Sequence, residues 1–199
     1  MTRWPAVLVD GAVRLRPLGR RDGAQWLRVR RANADWLEPW EATVPGPQTG
    51  PGPSFGSYVA GLRREARAGR AMPLVIEHGG RLAGQITATG IQMGSLRSAS
   101  LGYWVAREHA GRGIAPTAVA LLTDHLWSGA GLHRVEIAIR PENAASLRVV
   151  AKLGFREEGL RPRYLHIDGQ WRDHRVFALT VEEVPGGLLR RWREAQAAG

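Results

Sequence analysis

Apolar and charged positions alternate along Val13-Arg14-Leu15-Arg16-Pro17, which predicts a half-buried strand. Trp26, Leu27 and Val29 recur at helical spacing and predict a helix over Arg21 to Ala32. A second helix is expected from Phe55 to Ala68, stopped by Gly69 and with Arg67 and Arg70 near its carbonyl end. Between these helices, Val44 to Pro53 is rich in Pro and Gly and reads as a surface loop.

Strand-like runs follow at Met72 to Glu77, Arg81 to Ile91 and Ser98 to Val105. The turn signals His78-Gly79-Gly80 and Met93-Gly94-Ser95 separate them, predicting an antiparallel meander. Val119, Leu122 and Leu126 place a helix over Ala115 to Trp127. The rest reads as strand Arg134 to Ile139, helix Glu142 to Leu153, strand Phe155 to Arg163 and strand Arg175 to Thr180. Pro185 to Ala198 reads as an amphipathic helix or tail. The order β-α-α-β-β-β-α-β-α-β-β implies an α+β fold, a layered sheet with helices on both faces.

Composition narrows the chemistry. The 199 residues suit one domain spanning 1–199, large enough to build a core without staples. No cysteine is present, which removes thiol nucleophiles, Cys-bound metals and redox switches. The six histidines, His78, His109, His125, His133, His166 and His174, show no metal-ligand spacing, so no metal is expected. Neither a signal-like segment nor a membrane-length apolar run occurs, so a cytoplasmic protein without a membrane partner is expected. The formal charge is +10, from 28 Lys plus Arg against 18 Asp plus Glu, and Lys152 is the sole lysine. Such a field suits anionic partners, whether nucleic acid, a ribosomal surface or a phosphorylated cofactor.

Two strand-to-helix junctions concentrate the polar chemistry. In the first, Tyr103 to Val105 runs into Ala106 to Arg112 and then a helix. Gly111 and Gly113 let an anion approach the main chain, where helix-start amides and the dipole's positive end converge. No Gly-Lys-Ser/Thr follows, so this is not a Walker loop. In the second, Glu136 to Arg140 leads through Pro141 to Asn143 and Ser146, three residues apart on one expected helical face. Capping and backbone hydrogen bonding are the alternative roles for this pair. Gly154 ends that helix and Phe155 plugs the core.

Together these segments resemble the GCN5-related N-acetyltransferase (GNAT) superfamily, and within it the RimJ/RimL-like protein N-acetyltransferases. The family's pyrophosphate loop, Arg/Gln-x-x-Gly-x-Gly/Ala, falls on Ala110-Gly111-Arg112-Gly113-Ile114-Ala115. The branch's Asn-x-x-Ser and Gly-Phe pattern falls on Asn143, Ser146, Gly154 and Phe155. Asn33-Ala34-Asp35-Trp36-Leu37-Glu38-Pro39-Trp40 is similar to the segment after the first helix. Asp168 to His174 is similar to the turn between the last two strands. Three positions depart from the pattern: Ala110 replaces Arg or Gln, Ser100 stands where relatives often have Glu, and Val150 stands where others carry an acidic Tyr.

The resemblance implies acetyl-CoA as co-substrate and a mostly antiparallel sheet splayed between two parallel strands. Pantetheine would enter between the strand ending near Val105 and the one containing Glu136, with the thioester carbonyl facing the Val105 amide. Cofactor contacts are expected at Val105, Ala110 to Ala115, Asn143, Ser146, Arg148 and Lys152. Ser146 would face the leaving thiolate, and Asn143 would hold the pantetheine amide or the incoming amine. Glu136 would act as base through water, or else only pair with Arg140. Trp36, Trp40 and Tyr164 are candidates for the acceptor mouth. The implied acceptor is the N-terminal amine of a protein, a ribosomal one by the branch, with possible ribosome association and a monomer or homodimer. Alternatives are another acyl donor, a small amine acceptor, or a noncatalytic acyl-CoA-binding module.

Overall fold

The structure is a computed structural model that describes residues 4–46 and 52–198. Residues 47–51 of the expected Pro/Gly loop lie outside the described residues, as do 1–3 and 199. Eight strands form one sheet in the order β1-β2-β3-β4-β5-β6-β8-β7. They are β1 (Leu8–Asp10), β2 (Val13–Pro17), β3 (Met72–His78), β4 (Arg81–Gln92), β5 (Ser98–Val105), β6 (Arg134–Ile139), β7 (Arg156–Ile167) and β8 (Gln170–Thr180). Neighbours pair antiparallel except β5 and β6.

The helices are α1 (Gly23–Ala32), α2 (Ala34–Leu37), α3 (Phe55–Arg67), α4 (Ile114–Ser128), α5 (Ala144–Leu153) and α6 (Leu188–Ala197). On one face α4, α5 and α6 bury Leu122, Leu126, Leu153, Leu188 and Trp192 against Leu15, Leu74, Ile76, Ile86, Leu101 and Ile137. On the other, Trp26 and Val29 of α1 and Val59 and Leu62 of α3 pack on Val75, Leu82 and Trp104. Strand alternation sends neighbouring residues into these two layers. The expected fold class, an α+β sheet covered on both faces, is the observed one.

Several boundaries differ for local reasons. Glu142 and Asn143 do not begin α5; Asn143 is its N-cap, and its Oδ1 accepts the Ser146 amide at 3.0 Å. The two side chains therefore do not share a helical face, and the capping alternative holds for Asn143. The last two strands are longer than expected because Asp168-Gly169, both at positive φ, closes a tight hairpin between them. The strand β1, not foreseen, pairs with β2 across the Gly11 turn. The C-terminal segment is a helix, held by Leu188, Trp192 and the Trp192 Nε1 to Thr117 Oγ1 hydrogen bond of 2.9 Å.

Candidate active site

The parallel pairing of β5 with β6 creates the site. β5 and β6 pair at Ser98–Arg134, Ala99–Val135 and Ser100–Glu136, and pairing stops there. Beyond it the strands diverge, and a cleft of about 500 Å³ opens between the end of β5, the start of α4 and the start of α5. Of the residues expected to meet a cofactor, Val105, Ala110, Gly111, Gly113, Ile114, Ala115, Asn143, Ser146, Arg148 and Lys152 line this cleft. Of the anticipated cofactor contacts, Arg112 does not line the cleft.

At its basic end, Gly111 and Gly113 both adopt positive φ, +76° and +75°, which folds the loop tightly into α4. Gly113 is the α4 N-cap, and no side chain caps the helix. Pro116 has no N–H to leave unpaired, so the amides of Ile114 and Ala115 are the donors that the first turn presents beside the loop. This backbone cradle, with Arg148 and Lys152 on the facing helix, fits a diphosphate and requires nothing from Ala110's side chain.

Midway along the cleft stands Ser146. Beside it is Tyr103, which the sequence reading passed over as a functional group. Its side chain shares the β5 face of Leu101 and Val105, and its hydroxyl is buried without a hydrogen-bond partner among the described residues. Burial pushes the phenol up to about 12, opposed in part by Ser146, although the two hydroxyls fall short of hydrogen-bond geometry. The phenol therefore stays protonated at neutral pH. Period-two alternation from Val105 was the available signal. Val150, at the position where relatives carry a tyrosine, is buried core at 1% exposure.

The far end is aromatic. Trp26, Trp36, Trp40, Tyr58 and Trp104 line it, with Arg30, Glu41 and Gln85. Gln85 accepts from Trp26 Nε1 at 3.0 Å and donates to the Tyr58 hydroxyl at 2.9 Å. The segment after α1 is tied down at several points. Trp36 Nε1 donates to the Val105 carbonyl at 3.0 Å. Asn33 Oδ1 accepts the Arg107 amide at 2.8 Å. Arg140 donates to the Pro39 carbonyl at 2.7 Å, with its guanidinium 5.3 Å from the Trp40 ring centroid. Trp36 and Trp40 are therefore both anchored and exposed to the cleft.

Two candidates fall elsewhere. Glu136 does not line the cleft; its carboxylate accepts from Arg134 at 2.9 Å and lies 3.6 Å from Arg161, held in an ion-pair network that also takes in Glu158. Nor does it pair with Arg140, whose ion-pair partner is Glu142 at 3.1 Å. Alternation put Glu136 and Arg140 on one face, but β6 ends at Ile139 and Arg140 turns toward Pro39 instead. Tyr164 is also outside the cleft, on β7, where its hydroxyl accepts from Arg161 at 3.0 Å and its ring lies 4.9 Å below that guanidinium.

Residues 12–156 match the family model for the acetyltransferase (GNAT) domain. The chain superposes on the structure titled Mycobacterium smegmatis RimJ in complex with CoA-disulfide with a TM-score of 0.90, at 44% identity, covering 97% of this chain and 96% of that one. It is 38% identical over 99 residues to the Bacillus subtilis protein named Probable N-acetyltransferase YjcK, covering 50% of this chain and 55% of that one. It is 33% identical over 106 residues to the Escherichia coli [Ribosomal protein uS5]-alanine N-acetyltransferase, covering 53% and 55%. The matched part thus spans about half the length of these curated relatives. A splayed β5–β6 cleft, a glycine-built helix mouth and a family model covering most of the chain agree: this chain belongs to the GNAT acetyltransferase family, in the branch that contains RimJ.

Proposed function

We propose that the protein is a cytoplasmic N-acetyltransferase that moves the acetyl group of acetyl-CoA to a primary amine, the N-terminal α-amine of a ribosomal protein. The observation that carries this reading is the cleft itself: its lining brings together a glycine-built backbone anion cradle, the neighbouring but unbonded hydroxyls of Ser146 and Tyr103, and a group of aromatic side chains. The acceptor class is supported by the likeness to RimJ along nearly the whole chain and to the uS5-alanine acetyltransferase along half of it.

The chemistry asks three things of the protein. An amine nitrogen must reach the thioester carbonyl carbon, a C–N bond must form as the C–S bond breaks, and the departing sulfur must be stabilised. Backbone amides of the Gly111 to Ala115 segment, with Arg148 and Lys152, would anchor the diphosphate and so fix the register of everything beyond it. Asn143, immobilised as a cap, keeps its amide N–H groups for the pantetheine chain. Ser146 would donate to the sulfur, and the neutral Tyr103 phenol, with no other partner, would replenish that proton.

Incubating the protein with acetyl-CoA and peptides bearing free N-termini, alongside small amines and other acyl-CoAs, tests the reading through free thiol release and product mass. Acceptor-dependent thiol release with a peptide acetylated at its terminal nitrogen is expected. Tight CoA binding without acceptor-dependent thiol release would overturn it in favour of a noncatalytic acyl-CoA module.

A further inference from the structure

With Glu136 locked outside the cleft, the group that receives the acceptor's charge must come from the residues that line it. The acceptor arrives as an ammonium, and the protein it approaches carries a formal charge of +10. Among the described residues lining the cleft, Glu41 is the one carboxylate. It lines the cleft together with the tryptophans of the aromatic chamber, on a segment separate from the glycine loop and α5.

The protein fixes Glu41 from both sides. Its carbonyl accepts the Asp168 amide at 3.1 Å, and Ala42 bridges to Ile167, so the backbone is pinned to the β7–β8 hairpin. Its carboxylate pairs through Oε1 with Arg30. Arg30 lies against both Trp26 and Trp104, its guanidinium 5.5 and 5.4 Å from the centroids of two rings that meet edge to face. A guanidinium immobilised in this way has little freedom to reorient, so it directs the carboxylate. The Glu41 side chain nevertheless remains 42% exposed, which leaves it accessible to a second cation.

We propose that Glu41 binds the acceptor ammonium and takes the proton it must lose, with Arg30 as the residue that positions it. This rests on the acetyltransferase reading above. One ammonium proton passes to the Glu41 carboxylate and on to solvent, leaving a neutral amine. The nitrogen lone pair attacks the thioester carbonyl carbon, the C–N bond forms as the C–S bond breaks, the second proton leaves nitrogen, and one proton ends on the thiol of CoA.

Steady-state kinetics of the wild type, Glu41→Gln and Glu41→Asp with a free-N-terminus peptide decide the matter. Glu41→Gln is expected to raise the acceptor KM by roughly tenfold or more and to shift the pH–rate profile upward, towards pH values at which the free amine is already neutral. The KM for acetyl-CoA should stay within about twofold, and Glu41→Asp should recover part of the loss. A measurement independent of turnover accompanies it: the wild type should bind the free peptide more tightly than its N-acetylated form, and Glu41→Gln should erase that difference. Unchanged acceptor KM and pH profile in Glu41→Gln, or an undiminished preference for the free peptide, overturns the assignment. Absence of turnover in the wild type with every amine would instead overturn the acetyltransferase reading, and this one with it.

Discussion

Gly113 combines a φ of +75° with a Cβ position only 3.2 Å from Gln196 Nε2 and 3.5 Å from the Trp192 ring. Alanine there should cost about 1 kcal/mol of stability from the left-handed backbone alone, read as a lower denaturant midpoint. Gly113→Asp should do more to binding, because it sets a carboxylate in the diphosphate cradle; CoA affinity measured by titration calorimetry should fall by roughly 100-fold or more. Ser146→Ala separates chemistry from binding. Its amide still bonds to Asn143, so the helix start survives, and turnover should fall roughly 10- to 100-fold while CoA affinity is held within about twofold.

At the scale of the element, the segment from Asn33 to Glu41 forms one wall of the aromatic part of the cleft, and its fastenings come from distant strands. Arg140, at the end of β6, is the strongest of them. Arg140→Ala removes a charged hydrogen bond to Pro39 and the stacking on Trp40, and should cost about 1.5–3 kcal/mol. It should raise the acceptor KM with the CoA affinity unchanged, since the diphosphate cradle lies on other elements. On β8, His174 is 3% exposed, and burial, with Arg140 also opposing a positive charge, holds its pKa below the ordinary histidine value. The unfolded chain then binds more protons than the folded one below about pH 6.5, so stability is complete above that pH and declines as the pH falls through it. Urea midpoints measured from pH 7.5 to 5.5 should decline, and decline less in His174→Asn.

For the whole molecule, charge and topology act together. A net +10 should make association with an acidic acceptor or a polyanion weaken as salt rises from low to physiological strength, whereas binding deep in the cleft should respond less. Salt titration of the acceptor KM against that of the CoA affinity checks this. Removing α6 by truncation before Leu188 should uncover the α4 face that Leu188 and Trp192 bury, together with Thr117, and should lower the melting temperature sharply or lead to aggregation.

The sequence by itself determined most of the elements, though not β1 or the start of α5, and the glycine-built mouth of α4. Period-two and period-3.6 patterns are local, and Gly111, Gly113, Asn143 and Gly154 act through their own backbone or the next turn, so their roles are readable within a short window. What only the tertiary structure decided is the far end of the cleft. Glu136 alternates correctly for a base, yet Arg134 and Arg161 claim it, one from its own strand and one from β7. Tyr103 and Glu41 carry no motif; burial against the core raises the pKa of the first, and the β7–β8 hairpin with Arg30, held against Trp26 and Trp104, gives the second its place. Such roles depend on which long-range neighbours supply charge and exclude water, and neither is encoded in the residues adjacent along the chain.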